Sequence, residues 1–162
     1  MISEKMAKAL NEQINKEIYS AYLYVGMAAY AASMALGGIS NWFQLQAREE
    51  LGHASKLMHY LNEQGKDLVL KAIAAPDQKF TSVAGLFDKT LEHEKEVTAS
   101  IHNLVTLAKK EADYATEIFL QWFVTEQIEE EASVSDIIQK LEIGGKGGNA
   151  ILVLDKALAL RK

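Results

Sequence analysis

A chain of 162 residues, 49% of them apolar and none of them cysteine, can bury a core of its own, but it cannot carry a disulfide, a thiolate zinc site or an iron–sulfur cluster. Its formal net charge of −5 argues against nucleic-acid binding and against attraction to anionic membranes, and no stretch is apolar and long enough to span a bilayer. A single Pro and few β-branched runs point to an all-α fold, read here as one domain over residues 1–162; Met1 leads straight into an amphipathic pattern with no leader, so the expected compartment is the cytoplasm.

The first predicted helix covers about residues 3–36, with Ser3 as its N-cap and Glu4 in its first turn. Its seam reads Met6, Leu10, Ile14, Glu17, Ala21, Tyr24 and Ala28, so Glu17 falls where an apolar residue belongs. Gly37-Gly38 is expected to end it, and so short a connection makes the next helix an antiparallel neighbour.

The second helix, about 39–64, has the seam Ile39, Phe43, Gln46, Glu50, His53, Leu57 and Tyr60. Glu50 and His53 are three residues apart and therefore share a face. An ionisable pair inside a buried seam is costly unless something compensates, and a metal ion compensates carboxylates and imidazole together. Gly65 closes this helix. Residues 66–81, with Pro76, show no period. So long a loop is uncommon in a compact domain. It is explained if it crosses the length of a bundle, about 40 Å for a helix of this size, which makes the third helix parallel to the second.

The third helix, about 82–110, is capped by Thr81 or Ser82 and carries Phe87, Thr90, Glu94, Val97, Ile101, Leu104 and Ala108 on its seam. The fourth, about 114–142, carries Thr116, Leu120, Phe123, Gln127, Glu130, Val134, Ile137 and Leu141. No Gly or Pro separates them. The stripe shifts phase between Ala108 and Thr116, which a straight helix cannot use, and Asp113 is the expected cap. Gly144-Gly145-Lys146-Gly147-Gly148 then breaks the chain, and Asn149 is expected to cap a short fifth helix over about 149–160. That helix is apolar nearly all round (Ile151, Leu152, Val153, Leu154, Leu158, Leu160), the pattern of a helix buried by partner subunits.

Four helices thus place polar groups at mid-seam: Glu17; Glu50 with His53; Glu94; Gln127 with Glu130. One Glu-x-x-His alone is weak evidence of a metal site. Four helices with polar residues in register are strong evidence, because four ionised carboxylates repel and take up protons unless two divalent ions cancel them. Oxygen ligands with one imidazole suit iron or manganese better than structural zinc. Taken alone, Glu126, Glu129 and Glu131 are a solvated face; beside Glu130, however, Glu49, Glu126 and Glu129 flank the site with room for a third cation. Tyr24 reads equally as a redox-active or hydrogen-bonding neighbour and as a packed core residue. Trp122, His59, His93 and His102 read as packing or surface residues, and Met6, Met27, Met34 and Met58 as helix-face residues rather than haem ligands.

Over its whole length the chain resembles the bacterial non-haem ferritins of the ferritin-like superfamily. The resemblance is carried by Asn15-Lys16-Glu17-Ile18-Tyr19-Ser20-Ala21-Tyr22, Arg48-Glu49-Glu50-Leu51-Gly52-His53-Ala54, Glu92-His93-Glu94 and Trp122-Phe123-Val124-Thr125-Glu126-Gln127-Ile128-Glu129-Glu130-Glu131. The ferritin-like carboxylate proteins are themselves the standing example of a di-metal site built in a helical bundle. The resemblance implies a ferritin-like four-helix bundle with one long crossover and a short fifth helix. It implies a homo-oligomeric shell of twenty-four subunits that oxidises Fe(II) with O2 or H2O2 and stores it as ferric oxyhydroxide. In that family Glu17, Glu50 and His53 would hold the first iron, and Glu50 would bridge to a second held by Glu94 and Glu130. Gln127 would line the centre, Glu49, Glu126, Glu129 and Glu130 would form a third iron site, and Tyr24 matches a tyrosine near the centre. Bacterioferritins differ: they carry a second Glu-x-x-His where Gln127-x-x-Glu130 stands here, and a haem-binding Met where Gly52 stands, so no haem is expected. Two rivals remain at this stage, a non-storing di-iron oxidase or peroxidase of the same fold and a metal-free structural bundle.

Overall fold

The computed structural model describes residues 1–145 and 147–162; Lys146, within the predicted glycine break, lies outside the described residues. Five helices follow in order: α1 (Glu4–Ser33), α2 (Gly37–Glu63), α3 (Val83–Lys110), α4 (Tyr114–Ile143) and α5 (Gly148–Leu158), with no strand among the described residues. Three N-termini are capped by short polar side chains that take up otherwise unpaired amides. Ser3 Oγ accepts from Met6 N at 2.9 Å, Ser82 Oγ from Gly85 N at 3.0 Å, and Asp113 Oδ1 from Thr116 N at 3.1 Å.

α1 packs chiefly on α2 and α3 on α4, giving two antiparallel hairpins. The segment between α2 and α3 joins them by running along α1 from end to end. Lys66 pairs with Glu4, Val69 N donates to Asn11 Oδ1 at 2.7 Å, Lys71 pairs with Glu12, and the Phe80 ring meets Tyr30 at 5.5 Å between centroids. From Glu4 to Tyr30 is about 40 Å of helix, so the crossover spans the bundle and starts α3 beside the start of α2. The core is in two parts. One cluster, including Tyr24, Met27, Phe43 and Phe87, fills the end near the α1–α2 turn. The other, including Met6, Leu10, Leu57 and Ile101, fills the opposite end. Glu17, Gln46, Glu50, His53, Glu94, Gln127 and Glu130 are buried and form the polar layer between them.

Two expected boundaries move. Gly37-Gly38 does not end α1; the chain turns at Ala35, which takes φ 59°, and both glycines are the first residues of α2. Gly38 is there for want of a side chain, not for backbone freedom. A Cβ on it would lie 1.7 Å from the Asp155 carbonyl oxygen of α5, whereas one on Gly37 would meet nothing within 4 Å. The close approach lets Asp155 Oδ1 accept from Ile39 N at 2.8 Å, so α5 caps α2, which has no cap of its own. Likewise Asn149 is not the cap of α5: Gly147 holds that place and Asn149 lies inside the first turn. Gly38→Ala is therefore expected to cost about 2 kcal/mol or more through overpacking. Gly37→Ala should stay within about 0.5 kcal/mol. Thermal unfolding of the two variants checks the contrast, and equal melting points would remove the steric account of Gly38.

On α5, Leu154 is buried and Ile151 and Leu158 lean on the core, while Leu152 and Val153 stay exposed in the single chain. No described helix is long and apolar enough to cross a membrane.

Candidate metal centre

The seam positions bring Glu17 from α1, Glu50 and His53 from α2, Glu94 from α3 and Gln127 and Glu130 from α4 into one layer, each at most 5% exposed. Ligand-type atoms of Glu17, Glu50 and His53 lie within 4.8 Å of one another, and so do those of His53, Glu126 and Glu130. His53 thus joins two groups. Its Nδ1 lies 3.3 Å from Glu50 Oε2. The ring is held edge-on by Trp122 at 5.4 Å and Phe123 at 6.0 Å, so Trp122 packs as expected, and it packs on the centre itself.

Three of the four carboxylates, Glu17, Glu94 and Glu130, are aimed by a second residue. Gln13, one turn before Glu17, donates its amide to Glu17 Oε1 at 2.9 Å. Tyr24 donates its hydroxyl to Glu94 Oε1, placing the tyrosine in the hydrogen-bonding role. Gln127 Nε2 donates to Glu94 Oε2 at 3.2 Å, and Gln46 Nε2 donates to Glu130 Oε2 at 2.6 Å. The last two links and Tyr24–Glu94 fix the second half of the layer. His93 is half-buried against Tyr24 and lies 2.7 Å from Ser20 Oγ, a packing role; desolvation there lowers its pKa to about 4. The flank is looser. Glu126 is half-buried, Glu129 is exposed and belongs to neither three-residue group, and Glu49 is half-buried and paired with Arg161 at 2.7 Å. A surface hollow lined by Glu49, Gly52, His53, Trp122 and Glu126 opens onto His53 from outside.

The electrostatics are those of a cluster built around cations. Burial pushes Glu50 well above the ordinary carboxylate range, and the charges of Glu17 and Glu94 push it further. Burial likewise raises Glu17, against the Gln13 hydrogen bond. Glu94 rises to about 7 through burial, opposed by its bonds from Tyr24 and Gln127. Glu130 rises to about 8 through burial and the charges of Glu94 and Glu49. Burial also drives the Tyr24 hydroxyl well up, with Glu94 adding to it. Two carboxylate oxygens, Glu17 Oε2 and Glu130 Oε1, are buried without a hydrogen-bond partner. Buried acceptors of that kind are rare and call for a partner. Four carboxylates, one imidazole and two orphaned oxygens fit a pair of divalent ions in charge and in donor chemistry.

Sequence reasoning did not assign roles to Gln13 and Gln46. Both left a signal: Gln46 is a polar residue on the α2 seam, and Gln13 stands four residues before Glu17, on the same face. Arg161 left none, being 112 residues from Glu49.

Comparison with known proteins agrees with this arrangement. Residues 7–143 match the family model described as the ferritin-like domain. A bacterial non-haem ferritin of Campylobacter jejuni is 42% identical over 96% of this chain and 93% of that protein. One from Staphylococcus aureus is 38% identical over 99% of this chain and 97% of that protein. Among solved structures, an open-pore ferritin from the archaeon Archaeoglobus fulgidus superposes with a TM-score of 0.98 at 50% identity, covering 100% of both chains. A closed form of that ferritin engineered by mutagenesis also superposes with a TM-score of 0.98. With its bundle, its crossover and its relatives in agreement, the chain belongs to the ferritin family, among proteins of the bacterial non-haem type.

Proposed function

We propose that this chain is a ferroxidase and an iron store: it binds Fe(II) at a di-iron centre inside the bundle, oxidises it with O2 or H2O2, and keeps the product as ferric oxyhydroxide mineral within a hollow homo-oligomeric shell. The observation that carries the reading is the buried layer of four carboxylates and one imidazole with its two orphaned oxygens. Glu17, Glu50 and His53 are the ligands of the first ferrous ion, and Glu50 bridges to the second, held by Glu94 and Glu130. Gln127 lines the centre and steadies Glu94, as does Tyr24. Glu49, Glu126, Glu129 and Glu130 take a third iron on its way to the cavity.

Two ferrous ions release two electrons. These reduce one O2 to hydrogen peroxide with two protons, or one H2O2 to two waters with two protons. Open coordination positions on the metals admit the oxidant. The carboxyls that give up protons to bind iron are its nearest proton donors. The exposed Leu152 and Val153 of α5 fit burial by neighbouring subunits. The count of twenty-four subunits follows from the family likeness, the expected lack of haem from Gly52 and Gln127-x-x-Glu130, and the cytoplasm is the expected compartment.

The test is iron uptake. Metal-free protein receives a large excess of Fe(II) in air and is separated by gel filtration. Many tens of irons per chain in a particle of several hundred kilodaltons are expected. Two or three per chain in a small particle would leave a di-iron oxidase that stores nothing, and none would remove the metal reading.

A further inference from the structure

Arg161 lies beyond α5, yet its side chain reaches the flank of the carboxylate layer. Nη2 donates to Glu49 Oε2 at 2.7 Å, and Nη1 donates to Gln46 Oε1. The guanidinium lies 5.3 Å over the Trp42 ring, and Asn41 Nδ2 donates to the Arg161 backbone carbonyl at 3.2 Å. The arginine is therefore half-buried and held at four points, not a free surface arm. Its position is inherited from α5, which Gly38 and Asp155 set against the start of α2. On its far side, Gln46 donates to Glu130 Oε2, so the guanidinium is one amide away from the centre.

Glu49 and Glu126 line the hollow over His53, with Lys56 and His59 on its rim, and Glu129 follows Glu126 on α4 next to Glu130. A planar cation is already seated on Glu49 through Nη2, while its Nη1 is held by Gln46. A divalent ion that uses Glu49 has to take it from Arg161. Arginine is permanently charged, so deprotonation offers no escape; the guanidinium must swing away.

We propose that Arg161 is a displaceable counter-ion for the third-iron flank: it holds Glu49 until a further cation arrives, and so sets how tightly that flank takes iron leaving the centre. The inference rests on the di-iron reading above. It makes the third site weak by construction, as a transit site should be, because every ion bound there competes with a tethered positive charge. At an effective dielectric constant of about 20, one unit charge a few ångströms away is a strong competitor, and partial exposure discounts it to roughly tenfold in affinity.

The experiment is anaerobic titration calorimetry of Fe(II) into the assembled metal-free protein, comparing the parent with Arg161→Gln, Arg161→Lys and the double variant Arg161→Gln with Glu49→Gln. Expected are two tightly bound ions per chain throughout, a third bound about tenfold more tightly in Arg161→Gln, parental behaviour in Arg161→Lys, which keeps the charge, and loss of the gain in the double variant. Lysine and glutamine both abolish the forked contact, so a purely packing role would make them behave alike. A third ion bound no more tightly in Arg161→Gln than in the parent, or absent from both, overturns the proposal while leaving the di-iron centre intact. Fewer than two ions per chain in the parent overturns the di-iron reading and this one with it.

Discussion

Glu50→Gln is expected to cut the initial rate of Fe(II) oxidation by about a hundredfold or more, and to make the metal-free protein more stable at pH 8. Both effects come from one carboxylate. Glu50 is 1% exposed and faces Glu17, Glu94 and Glu130. Loss even of an outer-shell partner costs a metal site roughly 10–100-fold, so loss of the ligand proposed to bridge the two irons lies at or beyond that range. The amide keeps the shape but removes one charge from a buried like-charge cluster. Each pKa unit of relieved repulsion is worth about 1.4 kcal/mol, and in a domain of this size about 2–4 °C of melting temperature follows each kcal/mol. Stopped-flow oxidation and differential scanning calorimetry read the two effects. An unchanged rate removes Glu50 from the centre, and a lowered melting point at pH 8 removes the charge frustration attributed to it.

The second large effect is on stability against pH. The buried carboxyls are raised from an ordinary value of 4.5, Glu94 to about 7 and Glu130 to about 8. Between these values the folded, metal-free protein binds more protons than the unfolded chain. Unfolding free energy then falls as pH rises. The stabilisation is full below about pH 4.5 and is lost as pH passes through about 7 and about 8. Each group contributes on the order of a few kcal/mol across that window. The metal-free protein is therefore expected to melt lower by at least about 5 °C at pH 8.5 than at pH 5.5. Divalent metal acts with the opposite sign, because its ligands must lose protons to bind. Manganese, which does not oxidise readily here, should raise the melting point most at pH 8.5. Calorimetry at both pH values with and without Mn(II) checks this. A flat or rising metal-free profile would show that the carboxyls are already compensated without a cation.

Much of this was legible in the sequence, for one physical reason. A seam residue is defined by period, and a polar residue on the seam breaks the pattern only where something else compensates it. Glu17, Glu50, His53, Glu94, Gln127 and Glu130 all announced themselves in this way. The break between α3 and α4 was legible from phase alone, although its turn is made by Ala112 at φ 54° rather than by glycine. What the sequence hid was contact between elements. Gly37-Gly38 reads as a stop signal when only local backbone freedom is weighed; the need for a bare α-carbon at Gly38 exists only once α5 is placed against it. Asn149 reads as a cap by residue type, but the helix begins earlier. Arg161 had no local pattern to violate, so its contact with Glu49 could not be read from spacing.

The crossover has a consequence for how the molecule assembles itself. Glu17, Glu50 and His53 belong to the α1–α2 hairpin, and Glu94, Gln127 and Glu130 to the α3–α4 hairpin. Each hairpin is built from contacts local in sequence, whereas their mutual docking has to close the long connection, so loop entropy favours docking last. Neither hairpin alone offers a complete ligand set, so the centre comes into being only at docking. Metal bound at the proposed centre would then act as a clasp between the two hairpins. It stabilises contacts absent from the early stages, so it slows the parting of the halves far more than it hastens their meeting. On the proposed reading, iron at the centre would lock the two halves shut, and how long the fold survives would depend on whether that centre is filled.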